Sequence, residues 1–120
     1  MSDVILRQAT SNDLDALIQL EHRSFREDRI SRRSFRRFLE MPRDRLIVAE
    51  LNGQLAGYCL VLMNAATRLA RIYSIAVSPD ARGRGIGEKL VQEAEREAVD
   101  AGRIVMRLEV RDDNDAAIAL

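Results

Sequence analysis

At 120 residues and 13.6 kDa, 47% hydrophobic and 32% charged, the chain reads as one soluble globular domain, long enough for a single core and too short for two. Nineteen basic residues balance nineteen acidic ones, which excludes bulk attraction to nucleic acid or to an anionic membrane and favours a protein or small-molecule partner. One cysteine, Cys59, and one histidine, His22, exclude an internal disulfide and a zinc site of the usual spacing, while the lack of any apolar run near ~18 residues and the early Asp3 make the cytoplasm the expected location.

Val4–Gln8 predicts a first strand. Thr10, Ser11, Asn12 and Asp13 are N-cap candidates ahead of Leu14, Leu17, Ile18, Glu21 and Phe25 at helical spacing, so a helix carrying His22 follows. A charged connection, 26–30, leads to a second helix capped by Ser31 and ended near Met41 and Pro42, because proline cannot continue the hydrogen-bond ladder. Arg45–Leu51 and Gln54–Met63 predict strands joined by Asn52-Gly53, a two-residue hairpin signal; Cys59, inside the apolar pattern, reads as packing.

Residues 64–68 turn the chain into a strand with Ile72, Ser74, Ile75 and Val77, broken by Ser78-Pro79-Asp80. The pattern then becomes helical over 85–101, with Ile86, Leu90, Val91 and Ala94 on one side and Glu88, Lys89, Gln92 and Glu93 on the other. Gly102 is a left-handed terminator. A strand over 104–110 and the start of a helix over 114–120 complete the order β-α-α-β-β-β-α-β-α, a mixed α/β fold.

The strand-to-helix join, Arg82-Gly83-Arg84-Gly85-Ile86-Gly87, carries the unusual chemistry. A helix start has backbone N–H groups without intrahelical partners and a partial positive charge. Glycines let a diphosphate approach that backbone, and Arg82 and Arg84 add guanidinium groups that fork onto phosphate oxygens. The candidate diphosphate cradle is therefore Gly83 to Glu88, with both arginines. A Walker A loop is disfavoured, since Lys89 is followed by leucine, and a dinucleotide fingerprint is disfavoured because Glu88 stands where glycine is needed.

Arg/Gln-x-x-Gly-x-Gly after Ile-Ala-Val-x-Pro resembles the acetyl-CoA loop of the GNAT N-acetyltransferase superfamily, matched here by Arg82, Gly85 and Gly87. The segment from Met106 to Leu120 is similar to the terminal segment of ribosomal-protein-alanine N-acetyltransferases. The element order matches the GNAT order along the whole chain. This resemblance implies acetyl-CoA as cosubstrate, no metal, and a primary amine on a protein or small molecule as acceptor. It implies that backbone groups of Ile75, Ala76 and Val77 hold the pantetheine arm and thioester carbonyl, that Glu109 is the general base, and that Asn114 contacts CoA. It further implies that the connection between the first two helices lines the acceptor site, so that Arg26, Arg29, Arg32 or Arg33 meets an acidic acceptor; the alternative is a solvated arginine-rich face beside Glu27, Asp28 and Glu40.

The resemblance also implies two later strands and a tyrosine acid after Ala-x-x-Leu. Leu120 is the last residue, so the domain reads as C-terminally incomplete, and Tyr58 and Tyr73 do not stand at the tyrosine position. An incomplete sheet leaves the strand 103–111 with an open edge, which a continuing chain, a second copy or another partner would cover.

Acyl transfer from a thioester needs a neutral amine, a polarised carbonyl and a proton for the leaving thiolate. At pH 7, neutralising an α-amine costs about 1.4 kcal/mol and a lysine about 4.6 kcal/mol, so a carboxylate is the natural base. Glu109, between Leu108 and Val110, alternates to the face opposite theirs, either toward solvent beside Arg107 or Arg111 or into a cleft beside 72–77. The expected activity is N-acetyl transfer; the alternative is a non-catalytic module that binds acyl-CoA.

Overall fold

Four strands, β1 (Val4–Gln8), β2 (Arg45–Leu51), β3 (Gln54–Met63) and β4 (Leu69–Val77), pair antiparallel in chain order in the computed structural model. The structure describes residues 3–109 and 115–119, Glu109 and 115–119 through the backbone alone. Asn52 and Gly53 both take positive φ, 56° and 78°, which is what a tight hairpin of the strands' own twist demands.

Two helices, α1 (Leu14–Ser24) and α2 (Arg32–Glu40), lie on one face of this sheet and α3 (Ile86–Asp100) on the other. Strand alternation divides the core accordingly. Leu46, Val48, Tyr58 and Leu60 meet Leu17, Leu20 and Phe35, whereas Ile47, Cys59, Val61 and Ile72 meet Ile86, Leu90, Ala94 and Ala98. Each fully buried Leu or Ile contributes about 1.5–3 kcal/mol. The Phe35 ring meets Tyr58 edge-on, with centroids 5.6 Å apart.

The caps follow the sequence. Ser31 Oγ accepts the Ser34 N–H at 3.1 Å at the start of α2, and the Asp13 carboxylate accepts the Thr10 N–H at 2.7 Å ahead of α1. Gly102, at φ 79°, ends α3, and the Arg103 N–H bonds back to Ala98 O at 2.9 Å. The helix returns the chain so that β5 (Val105–Glu109) runs parallel to β4.

The last element differs from expectation. Residues 114–120 read as a helix, but the structure has a strand, β6 (Asp115–Ala119), antiparallel to β5 from Val105 opposite Ala119 to Glu109 opposite Asp115. A helix of one or two turns does not recover its nucleation cost, whereas β5 offers a ready row of N–H and C=O groups. The same pairing corrects the expected open edge, since the outer side of β5 is taken by β6 of the same chain. The sheet order is β1 to β6.

Candidate functional site

A single extra residue shapes the centre of the sheet. Leu60 and Val61 of β3 stand opposite Ser74 and Ile72, so Tyr73 has no opposite number and forms a bulge. One inserted residue reverses which side chains face which way. Before the bulge Ala70 and Ile72 pack beneath α3; after it Ile75 and Val77 turn toward α3 and Ala76 faces α1 and α2.

The bulge coincides with the parting of two strands. β4 pairs with β5 only from Leu69 opposite Val105 to Ile72 opposite Leu108. Beyond that point, residues 73–77 have no partner strand on their β5 side among the described residues, which leaves polar backbone facing a gap. Glu109 is the last residue of β5, one position past the final pair, so its backbone stands where the strands separate. Asn114 lies outside the described residues.

From Val77 the chain enters the glycine-rich join. The Ser78 N–H bonds to Ala56 O at 2.8 Å and the Ala81 N–H to Ser78 O at 2.9 Å, which fixes the short 3₁₀ turn Pro79–Ala81. Gly83 and Gly85 have φ of 83° and 72°, left-handed values that only glycine adopts freely. Gly85 caps α3, and the Lys89 N–H to Gly85 O bond at 3.0 Å is an opening rung of the helix. The N–H groups of Ile86, Gly87 and Glu88 therefore precede the ladder. Arg82 and Arg84 are exposed beside them, with no ion-pair partner among the described residues. The set consists of donors and positive charge, which suits an anion with several oxygens.

Gly57 seats this apparatus on the sheet. A Cβ there would stand 2.9 Å from Ala76 O and 3.2 Å from Leu90 Cδ1, so α3 approaches as closely as a glycine allows. A Cβ on Gly87 would meet only Val77 Cγ2, at an ordinary 3.7 Å.

A buried polar chain links the gap to α1. Glu21, fully buried, accepts the Ile30 N–H on Oε2 at 2.6 Å and the Tyr58 hydroxyl on Oε1 at 2.6 Å. A carboxylate only accepts, so Tyr58 donates to it and Ser74 Oγ, 2.6 Å from the phenol oxygen, donates in turn. Sequence reasoning placed Glu21 in the apolar stripe of α1 and drew nothing from it; an acid in such a stripe was the available signal. Cys59 is buried, burial pushes its thiol up to about 12, and it packs rather than reacts. His22 is exposed on α1. A cavity of about 1010 Å³ between α1 and the β2–β3 hairpin touches the join at Arg84, and none of its lining residues comes from 72–77 or β5.

Residues 14–120 match the description "Acetyltransferase (GNAT) family". The chain belongs to that family. Within it, the chain is 31% identical over 117 residues to the putative [ribosomal protein bS18]-alanine N-acetyltransferase of Bacillus subtilis, covering 96% of this chain and 75% of that one. It is 39% identical over 95 residues to the N-alpha-acetyltransferase RimI of Mycobacterium tuberculosis, covering 72% and 54%. Its GNAT fold is that of the PaiA N-acetyltransferase from Thermoplasma acidophilum, solved in complex with coenzyme A, with a TM-score of 0.82 at 19% identity over 93% of this chain and 82% of that one. The chain spans about half the length of several curated relatives that it matches. No helix among the described residues is long and apolar enough to cross a membrane.

Proposed function

We propose that this domain binds acetyl-CoA in the gap between β4 and β5 and transfers the acetyl group to a primary amine, foremost a protein N-terminal α-amine. The observation that supports this most is the conjunction of backbone over 73–77 that meets no strand on its β5 side among the described residues with a glycine-capped helix start beyond the end of the same strand. In this reading the N–H groups of 83–88, with Arg82 and Arg84, hold the diphosphate. Backbone groups of Ile75, Ala76 and Val77 bond the pantetheine arm and orient the thioester carbonyl, and Asn114 adds a contact to CoA. Bound acetyl-CoA supplies an activated acyl group.

Glu109 takes the proton of the incoming ammonium, directly or through one water, so that the nitrogen lone pair is free to attack. The α-amine is preferred because it is neutralised at about a third of lysine's cost at pH 7. The printed names of the relatives, an N-alpha-acetyltransferase and a ribosomal-protein alanine N-acetyltransferase, support the same choice. Such a role belongs in the cytoplasm.

Isothermal titration with CoA, acetyl-CoA and ATP, followed by thiol release with a free-N-terminus peptide and an N-blocked lysine peptide, tests the proposal. Acetyl-CoA binding with thiol release on the free-N-terminus peptide is expected. Binding without release would reduce the domain to an acyl-CoA-binding module, and preference for ATP would remove the assignment.

A further inference from the structure

Past the bulge, hydrophobicity does not say which way β4 should face. Ile75, Ala76 and Val77 are apolar, and both sides of the sheet carry apolar cores. Among residues 74–77 only Ser74 tells the two sides apart by chemistry, because a buried hydroxyl needs a polar partner. On the side of α1 and α2 it has Tyr58, whereas the core beneath α3 is built of apolar side chains.

That partner is itself held in place. The Tyr58 hydroxyl donates to Glu21 Oε1 at 2.6 Å, so its oxygen is left to accept from Ser74 Oγ, also at 2.6 Å. The other carboxylate oxygen of Glu21 takes the Ile30 N–H at 2.6 Å, and Phe35 closes on the Tyr58 ring edge-on. Glu21 and Tyr58 are fully buried and Ser74 is 2% exposed. A buried polar group that loses its partner is costly, so this chain of bonds specifies a place for Ser74 more sharply than packing does.

The place of Ser74 decides the place of the bulge. With Ser74 opposite Leu60 and Ile72 opposite Val61, the residue left over is Tyr73. In the register without the bulge, Leu60 would stand opposite Tyr73, and Ser74 opposite Cys59 on the side of α3. Successive strand residues aim their N–H and C=O groups to opposite lateral sides. The same slip would therefore exchange the groups of 74–77 that face β3 with those that face the gap.

We propose that Ser74, held by Tyr58 and Glu21, is a positioning residue for the transfer: it anchors the bulge at Tyr73 and so selects which backbone groups of 75–77 meet the thioester end of the cofactor. The proposal rests on the acetyl-CoA reading of the gap, but the register it describes is visible without any cofactor.

Nuclear Overhauser contacts between the backbones of β3 and β4, recorded without ligand, read the register; steady-state kinetics and titration with 3′-phospho-ADP, the nucleotide end of CoA, read the site. Ser74→Ala and Tyr58→Phe remove the hydrogen bond from either end. Each should replace the single Leu60–Ser74 pairing by a mixture that includes Leu60–Tyr73. Each should also lower kcat roughly tenfold or more while the affinity for 3′-phospho-ADP stays within about twofold of the parent, because the thioester is misplaced and the cradle is not. Leu14→Ala, a truncation in the same core at the far end of α1, should lower the unfolding midpoint and keep both register and kcat. If Ser74→Ala and Tyr58→Phe keep the parent register, the proposal is overturned, whatever happens to turnover. A lost register with unchanged kcat overturns it too, and so does an equal loss of both in Leu14→Ala. A parent protein that releases no thiol would sink the acetyl-transfer reading and leave the register result standing.

Discussion

Tyr58 holds a buried carboxylate, a serine of the central strand and an aromatic neighbour in one place, so the loss of its hydroxyl should be felt in more than one way. Tyr58→Phe keeps the ring and its packing but leaves Glu21 Oε1 without that donor. We expect a loss of about 1–3 kcal/mol in urea unfolding, the range for stranding a buried polar group; a loss below ~0.5 kcal/mol would mean that water replaces the phenol. Glu109 is judged by kinetics instead. Glu109→Gln should lower turnover roughly 10²-fold with little change in acetyl-CoA affinity, since a base acts on the amine and not on the cofactor. An unaltered turnover and pH profile would move the base elsewhere. Glu109 is the base that the resemblance of the segment from Met106 to Leu120 implies, whereas Glu21 gains its place only from Ile30, Tyr58 and Ser74, which folding brings to it from other elements.

Helix α3 shows why some of the site could be read from the chain and some could not. Its glycine-rich start was legible because cap chemistry is local: the residue types, their order and the positive φ belong to neighbouring positions. The need for glycine at position 57 was not, because it arises from the Ala76 carbonyl and Leu90, distant in sequence. Gly87→Ala is the cleaner probe of the cradle, since its methyl meets only Val77 at an ordinary distance and strains no backbone. It should weaken CoA binding at least ~10-fold in titration while thermal unfolding stays close to that of the parent; unchanged CoA affinity would unseat the cradle.

The far side of the same helix titrates. Burial, then a hydrogen bond that its protonated carboxyl donates to Glu93, lifts Glu97 from its ordinary 4.5 to about 7, against Gln8 of β1 and Arg45 of β2, which favour the charged form. Because the folded state holds this proton more tightly, the contribution of Glu97 to stability is fully present below about 4.5 and is lost as pH rises through 7. Glu93, held below the carboxylate range chiefly by its hydrogen bond from Arg96, and Asp13, held down chiefly by Arg7, work in the opposite sense and lose theirs in acid. Glu97→Gln should therefore flatten the fall in stability between pH 5 and pH 7.5 as read by urea midpoints; an unchanged slope would assign that fall to other groups.

At the scale of the molecule, the element order as far as β5 was legible in the sequence, whereas which faces of β2 and β3 meet α1 and α2 and which meet α3 came with the fold. The division of β4 was not legible either, because Tyr73 looks like any exposed strand residue until β3 supplies the register that leaves it over. Nor was β6, whose alanine-rich sequence has helical propensity that the free edge of β5 overrides. The backbone of 73–77, which meets no strand on its β5 side among the described residues, has a whole-molecule signature. In hydrogen exchange, its amides not bonded to β3 should exchange quickly in the free protein and become protected when CoA is added; equal protection in both states would mean that the gap is closed by something other than the cofactor.

The bulge also bears on how fast a ligand enters. To close the gap, β4 would have to straighten, and straightening would turn Ser74 in among the apolar side chains beneath α3 and expel Ile75 and Val77 from them. The separated arrangement is thus the ground state of the folded chain, set when the sheet forms. Association should then be a one-step encounter, with an observed stopped-flow rate that rises in proportion to CoA concentration and shows no plateau, because no slow opening stands ahead of it.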